Sequence, residues 1–153
     1  MKELGAANYI LGMEIKRDRA KRKLWLNHRK YVKNILQRLN MQDSKSVNVL
    51  IPIGVNLSIE KFHKKQEEEE DMSPVPYGSA VGSLMYAMVC TRLDIAHVVG
   101  VLSRFMSKPG KEHWIAVKWV FRYLLGTSDY GLCYQGRPGL DRVLDIHGFV
   151  DAD

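Results

Sequence analysis

The sequence predicts an α+β fold in which three helices form the core and short strands precede and follow them along the chain. Three segments within residues 77–127 repeat apolar residues at the spacing of amphipathic helices. Segments near both ends instead alternate apolar and polar residues or form brief apolar runs, as strands do. Between these parts lies a run of basic and then acidic residues, KFHKKQEEEED, which predicts a linker.

The first expected unit, residues 1–40, is a β-hairpin followed by a helix. Residues 8–17 (NYILGMEIKR) and 23–27 (KLWLN) predict the two strands, and the basic turn between them has no Asn-Gly pair to fix its geometry. A helix is expected over residues 28–40, with Asn27 or His28 at its start and Asn27 as the chemically better N-cap. The apolar side of that helix is formed by Val32, Ile35, Leu36 and Leu39.

Residues 41–76 predict a connector and linker. Pro52 and Gly54 interrupt its apolar part, VNVLIPIGVNL, so we expect an extended segment there. The acidic run at 67–71 lacks a spacing that would suit a metal ion. It predicts a solvated surface or the first turn of a short helix.

The core helices are expected within 77–127, and Pro109-Gly110 separates the second from the third. The apolar stripe of the first helix is Tyr77, Ala80, Val81, Leu84, Met85, Met88 and Val89. Its opposite face consists of residues small enough to let another element approach: Gly78, Ser79, Gly82 and Ser83. The second stripe is Ile95, Val98, Val99, Leu102 and Met106. The third is Trp114, Val117, Val120, Phe121 and Leu124.

Residues 128–153 predict a C-terminal β-hairpin. The expected strands are 128–134 (SDYGLCY) and 143–150 (VLDIHGFV). The segment between them, QGRPGLDR, is rich in residues that favour turns.

Six short motifs follow one another through the helical segment. They are Gly82-Ser83-Leu84-Met85-Tyr86, Thr91-Arg92-Leu93-Asp94-Ile95-Ala96, Ser103-Arg104-Phe105-Met106, Pro109-Gly110, His113-Trp114 and Arg122-Tyr123-Leu124-Leu125-Gly126-Thr127. In this order they resemble the Pol polyprotein of Ty/copia-type retrotransposons, in the part that follows the polymerase active site. The sequence departs from the family pattern at Leu93, where proline is usual, and at Leu125, where a basic residue is common.

The resemblance covers essentially the whole chain, and it implies a role for each part. Residues 1–40 would be a primer-grip-like hairpin and helix of a reverse transcriptase, and 77–127 a helical thumb-like or connection-like region. Residues 128–153 would begin a ribonuclease H-like domain. The residues placed in the primer grip, where they would contact nucleic acid, are Leu11, Gly12, Met13 and Glu14. Gly12 would let the backbone approach nucleic acid closely, and a simple bulge is the alternative.

The resemblance also implies that the parent polyprotein polymerises DNA on RNA and cleaves RNA by ribonuclease H, with Mg²⁺. Asp151 corresponds to the first metal-binding carboxylate of that nuclease. Two-metal hydrolysis needs further carboxylates, and a polymerase Y-V-D-D run does not occur in the sequence. We therefore expect this fragment to be non-catalytic by itself and to need no cofactor, with metal bound at Asp151 only beside the missing nuclease residues.

The charge suits a polyanionic partner such as nucleic acid, and a soluble basic protein that binds no nucleic acid specifically is an equally open alternative. The formal net charge is +6 and the pI is near 9.3, and residues 1–58 hold twelve Lys and Arg against four Asp and Glu. We expect contacts to the backbone of an RNA/DNA primer-template, without sequence preference. The candidate cations are Lys16, Arg17, Lys111, Lys118 and Arg122. The last three follow the spacing i, i+7 and i+11 on one helix face, for which a plain solvated face is the alternative.

Other chemistry is not indicated. Cys90 and Cys133 predict reduced thiols, the five histidines have no metal-ligand spacing, and His113 is expected to pack or cap a helix. The sequence lacks an apolar run long enough for a membrane span or a secretory signal. We therefore expect a cytoplasmic or nuclear protein with no membrane partner, which contacts the remainder of Pol where that is present.

Two alternatives to nucleic-acid binding stay open. One is a domesticated or effector-like protein-interaction module, since secreted effectors of some plant pathogens have similar sequences. The lack of a signal peptide and of an R-x-L-R run argues against that version. The other is a non-functional relic, whose exposed strand edges would favour aggregation.

Overall fold

The computed structural model describes residues 6–50 and 72–136, which form helices and one antiparallel sheet. The predicted α+β class is therefore confirmed. In chain order the elements are β1 (Tyr9–Ile10), β2 (Met13–Asp18), β3 (Lys23–Asn27), α1 (Arg29–Arg38), α2 (Tyr77–Cys90), a 3-10 helix (Leu93–Ile95), α3 (Ala96–Ser103), α4 (Lys111–Gly126) and β4 (Gly131–Gln135). The predicted second strand of the C-terminal hairpin, 143–150, lies outside the described residues.

The single strand predicted over 8–17 is wrong, because a turn at Leu11–Gly12 divides it into β1 and β2. Ile10 pairs with Met13 across this turn. Leu11 and Gly12 both adopt left-handed backbone conformations, with φ of 51° and 80°. Positive φ at both central residues is the geometry of a two-residue hairpin turn. Gly12 therefore belongs to a tight turn and not to a strand bulge.

The sheet has the strand order β1-β2-β3-β4, so its last strand comes from beyond the helices. Trp25 in β3 lies opposite Cys133 in β4. At the start of β4 the two backbones come so close that a methyl group on Gly131 would lie 2.3 Å from the Leu26 carbonyl oxygen. The sequence did not predict the pairing of β3 with β4, which joins a strand that precedes the helices to a strand that follows them.

Asn27 connects the sheet to α1. Its side-chain oxygen accepts a hydrogen bond from the Arg29 amide, and its side-chain nitrogen donates to the Asp129 carbonyl at 2.8 Å. The predicted capping chemistry of Asn27 is therefore present, although His28 occupies the N-cap position. The helix is shorter than the predicted 28–40 at both ends.

The core combines α1 with the three predicted helices. Val32, Ile35 and Leu36 of α1 are buried in the same cluster as the apolar residues of α2, α3 and α4. All but one of the residues predicted for the third stripe are buried, the exception being the half-buried Trp114. Helix α1 thus ties the hairpin to the helical core by burying apolar surface.

Part of the predicted pattern of α2 is wrong. Met85 and Val89 are exposed, and Ala87 is buried instead. A methyl group on Gly82 would meet no described atom within 4 Å, so the expected close approach to the small-residue face does not occur there. The apolar stripe of α2 is accordingly narrower than its composition suggested.

Residues 41–44 form a turn, in which the Ser44 amide donates to the Met41 carbonyl at 3.2 Å, and the residues that follow contact α4. Most of the predicted extended segment, 47–57, lies outside the described residues. The Trp119 indole donates to the Val49 carbonyl at 2.8 Å, and the Val47 amide donates to the Arg122 carbonyl at 3.3 Å. The acidic linker, up to residue 71, lies outside the described residues. None of the helices in the two described ranges, 6–50 and 72–136, is both long and apolar enough to span a membrane.

Candidate nucleic-acid interface

The β1–β2 turn places one apolar residue in solvent. Leu11 is 71% exposed. Its carbonyl oxygen accepts a hydrogen bond from the Tyr86 hydroxyl at 2.7 Å and another from His28 Nε2 at 3.3 Å. A left-handed conformation is unfavourable for leucine. The two donors hold the turn in that conformation from the protein side.

Gly12 is suited to this turn for two reasons. Its φ of 80° is one that residues with a side chain rarely adopt. A methyl group at this position would also lie 3.1 Å from His28 Nε2. Any larger residue would therefore push the turn away from the histidine that supports it.

His28 is buried beneath the turn in its neutral form. Burial lowers the pKa of its imidazole, and the hydrogen bond to the Leu11 carbonyl raises it by less. Because a carbonyl can only accept, Nε2 carries the proton. His28 Nδ1 is buried without a hydrogen-bond partner among the described residues. Protonation would add a second buried donor, so the neutral ring is favoured.

Three aromatic rings join the hairpin, α1 and α2 below the turn. The centroids of His28 and Tyr31 are 4.9 Å apart, and those of Tyr31 and Tyr86 are 5.0 Å apart. The Tyr31 hydroxyl donates to the Ser83 carbonyl in α2 at 3.3 Å. The turn is therefore fixed relative to both helices.

A basic face of α1 lies next to the turn, and sequence reasoning did not single it out. The helix contains no acidic residue, and its exposed cations are Arg29, Lys30, Lys33 and Arg38. The Lys30 ammonium lies 5.7 Å from the centroid of the Tyr9 ring in β1. The spacing in RKYVKNILQR, which leaves these cations off the apolar stripe, is the signal that could have identified them.

The predicted hairpin residues lie on the turn and along β2. Glu14 is exposed and opposite Tyr9, and its carboxylate would repel a phosphate. Lys16 and Arg17 are exposed on opposite faces of the strand. Lys16 lies 6.0 Å from the centroid of the Trp25 ring, and the Arg17 guanidinium donates to the Ala7 carbonyl.

The predicted basic stripe lies on α4, a different element from the hairpin. Lys111 is exposed and Lys118 is half-buried. Arg122 is committed to the connector, because its Nε donates to the Lys45 carbonyl at 2.6 Å and its guanidinium lies 4.7 Å from the Trp119 ring. The three cations therefore do not form one uniformly exposed row.

Two sequence motifs, TRLDIA and RYLLGT, meet at an ion pair whose arginine is buried. Arg92 is 2% exposed and donates to both carboxylate oxygens of Asp94, at 3.0 and 2.7 Å. Its other hydrogen bonds reach the carbonyl and hydroxyl oxygens of Thr127, at 3.0 and 2.7 Å. The cluster fastens the end of α4 to the segment that follows α2.

The net effect of this cluster on Asp94 is to favour its charged form. Burial alone would raise the pKa of the carboxyl group. The hydrogen bonds and charge of Arg92, with a further hydrogen bond from the Tyr123 hydroxyl at 3.0 Å, more than offset burial and lower the pKa. These residues act in the fold and do not form an open site.

Comparison with known proteins places the chain among the polyproteins of retrotransposons. It is 52% identical, over all 153 residues, to the retrovirus-related Pol polyprotein from transposon TNT 1-94 of Nicotiana tabacum. It is 34% identical, again over its whole length, to the retrovirus-related Pol polyprotein from transposon RE2 of Arabidopsis thaliana. The chain belongs to the retrotransposon Pol polyprotein family.

This Pol segment spans about a tenth of those relatives, 11% of the first and 10% of the second. It is also 51% identical over 82 residues to the secreted RxLR effector protein 161 of Plasmopara viticola. The aligned residues make up 54% of this chain and 55% of the effector. No family model matches the sequence. No solved structure matches it either.

Other predicted sites of the Pol segment have mixed outcomes. Asp151 lies outside the described residues. Within 6–50 and 72–136, no group of three or more potential ligand residues could hold a metal ion. His113 packs and caps as predicted, since its Nδ1 accepts from the Gly110 amide at 2.8 Å and its ring stacks on Phe105 at 3.8 Å. Cys90 and Cys133 are free cysteines in the structure, and their reduced state stays a prediction.

Proposed function

We propose that this Pol segment belongs to the reverse transcriptase part of a Ty/copia-type polyprotein and binds the backbone of an RNA/DNA primer-template. The supporting observation is the Leu11–Gly12 turn, which presents the exposed Leu11 in a conformation braced by Tyr86 and His28. A turn held in this way loses little freedom when it meets a rigid duplex. It therefore suits a gripping contact.

The contact would carry no sequence information. Main-chain groups and basic side chains recognise phosphate and sugar, which are the same at every step of a duplex. The α1 cations supply the charge next to the turn, and Lys30 lies against the first strand of the hairpin. Lys111 and Lys118 are candidates for a second contact from α4.

Salt dependence of binding measures how many of these cations meet phosphates. Each neutralised phosphate contributes about 0.9 to the slope of log K against log salt for duplex DNA. Removing Lys30 and Lys33 should therefore lower the slope by about 2 for a duplex substrate. The Lys111→Ala/Lys118→Ala variant should lower it by a similar amount if α4 touches the same backbone.

The experiment is fluorescence anisotropy of a labelled blunt RNA–DNA hybrid, titrated with the folded chain at several salt concentrations. The matched control is Lys45→Ala/Arg104→Ala, which removes two exposed cations that belong neither to the hairpin nor to α1. We expect the Lys30→Ala/Lys33→Ala variant to lose slope and the control to keep it. A folded wild-type chain that does not bind at moderate salt would refute the proposal, as would equal slopes for α1 variant and control.

The parental activities follow from this assignment and belong to the whole polyprotein. In it, RNA-directed DNA polymerisation and ribonuclease H cleavage would use Mg²⁺, with Asp151 as one nuclease carboxylate beside others supplied from elsewhere in Pol. The segment described here would position the primer-template in the cytoplasm or nucleus and perform no chemistry alone. Residues 77–127 would serve as its thumb-like or connection-like part.

A second candidate function is a protein-interaction module derived from the element. The 51% identity over 82 residues with a secreted effector favours it. A soluble, folded chain that does not bind the RNA–DNA hybrid would support this candidate. A chain that aggregates when purified alone would instead favour a relic, because its strand edges need a partner.

A further inference from the structure

The geometry points to a second nucleic-acid contact, a groove at the far end of the sheet that takes an unpaired strand. This inference rests on the proposed function and extends it from duplex to single strand. The groove has a volume of about 440 Å³ and lies between the β2–β3 turn and the end of β4. Its lining includes Arg17, Arg19, Arg22, Lys23 and Tyr134.

Pairing of the strands fixes the position of the groove. Arg17 lies opposite Leu24, and Leu24 lies opposite Tyr134, so the arginine and the tyrosine flank the leucine on one face of the sheet. The Gly136 amide donates to the Arg22 carbonyl at 2.9 Å, which keeps the end of β4 beside the turn. Cations and aromatic ring are therefore held together by backbone contacts.

The groove is positively charged despite one carboxylate in its lining. Asp18 is directed to the turn, where its Oδ1 accepts from the Lys21 amide at 2.9 Å and its Oδ2 lies 4.0 Å from the Lys21 ammonium. Lys21 thus balances Asp18. The lining holds four cations against this one carboxylate, and one of them, Arg17, also donates to the Ala7 carbonyl.

An exposed aromatic ring among cations selects an unpaired strand over a duplex. Tyr134 is 53% exposed, so about half of its surface is accessible to a ligand. Bases within a duplex stack on each other, whereas an unpaired base offers a free face to an aromatic side chain. An unpaired strand would fit this lining if its phosphates contacted the cations and one of its bases stacked on Tyr134.

The groove and the turn lie at opposite ends of β2. About six residues separate Gly12 from Asp18, which at about 3.3 Å per residue is roughly 20 Å. A hybrid held at the turn could therefore extend an unpaired end of one strand toward the groove. The two contacts are far enough apart to be tested separately.

The test measures binding of a labelled oligothymidylate of about fifteen nucleotides, in parallel with the blunt hybrid. The variants are Tyr134→Leu, Tyr134→Phe and Arg19→Gln/Lys23→Gln, with Lys45→Ala/Arg104→Ala as the charge control, each checked for folding by circular dichroism. We expect Tyr134→Leu to weaken oligothymidylate binding about tenfold and Tyr134→Phe to preserve it. The double variant should lower the salt slope by about 1.4 and the control should not.

Binding of the blunt hybrid by the groove variants should stay close to that of wild type. If wild type binds the hybrid but not the oligothymidylate, the groove inference is overturned and the proposed function stands. If Tyr134→Leu binds the oligothymidylate as tightly as wild type, the groove is a general polyanion surface, and recognition of unpaired bases is refuted. If wild type binds neither ligand, the groove and the proposed function both fail.

Discussion

Replacing Asp94 with alanine should destabilise the protein strongly, because it leaves the Arg92 guanidinium buried without its counter-charge. Arg92 is 2% exposed, and two of its hydrogen bonds end on Asp94. Breaking a buried ion pair by removing one partner costs about 3–5 kcal/mol. The Asp94 side chain is 37% exposed, and Thr127 still accepts from Arg92, so we expect the lower end, about 3 kcal/mol.

Urea unfolding followed by circular dichroism measures this loss. With a slope of about 2 kcal/mol per molar urea, the midpoint should fall by about 1.5 M. Asp43→Ala, which removes an exposed carboxylate, should change stability by less than about 0.5 kcal/mol. The Arg92→Met/Asp94→Ala variant should recover part of the loss, because it buries no unpaired charge. An Asp94→Ala midpoint equal to that of Asp43→Ala would refute the reasoning.

Three further predictions concern the sheet, the buried histidine and the turn. Gly131→Ala should lower the free energy of unfolding by about 1–3 kcal/mol, because its methyl group would collide with the Leu26 carbonyl of β3. Gly82→Ala should raise the free energy of unfolding by about 0.5–1 kcal/mol, because the helical position is open. Unfolding midpoints that shift in opposite directions would confirm both expectations. In the folded protein the pKa of His28 lies below the ordinary 6.5 of the unfolded chain. As the pH falls below about 6.5, the unfolded chain therefore binds a proton at this histidine before the folded protein does, and stability should decline. His28→Asn should flatten that decline in unfolding measured from pH 7 to pH 5, and an unchanged slope would contradict it. Tyr86→Phe removes the 2.7 Å hydrogen bond to the turn, so amide exchange in β1 and β2 should accelerate; unchanged exchange would exclude a bracing role.

Local spacing predicted the helices well because burial of one face imposes a period on the sequence. The stripe of Val117, Val120, Phe121 and Leu124 identified α4, and these residues are buried. The same rule overestimated the buried face of α2, because apolar residues of this helix also lie outside that face. Val89, for example, is 71% exposed. Composition could not tell which apolar residues of α2 would meet α1 and α3.

The sheet could not be completed from local patterns. Pairing between Asn27 and Gly131 joins residues about a hundred positions apart. The local pattern of neither strand indicates which other strand it pairs with. The turn at Leu11–Gly12 was missed because leucine rarely adopts a positive φ. Its geometry depends on Tyr86 and His28, which come from other parts of the chain.

The candidate interface was predicted in part. Leu11 and Gly12 were chosen by resemblance, and the structure places them in a braced turn, with Leu11 exposed and Gly12 half-buried. The α1 cations were not predicted, because the cations of α4 follow the more regular spacing. Arg122 of that stripe is nevertheless committed to the connector. Whether these surfaces bind nucleic acid stays a prediction.

The measurement that tests the central proposal most directly is photo-crosslinking of the folded chain to an RNA–DNA hybrid carrying photoreactive bases, with crosslinked peptides mapped by mass spectrometry. The proposal predicts crosslinks in the peptides that contain the Leu11–Gly12 turn and helix α1, lost as salt rises. Crosslinks confined to other peptides, or none with a folded chain at moderate salt, would contradict it.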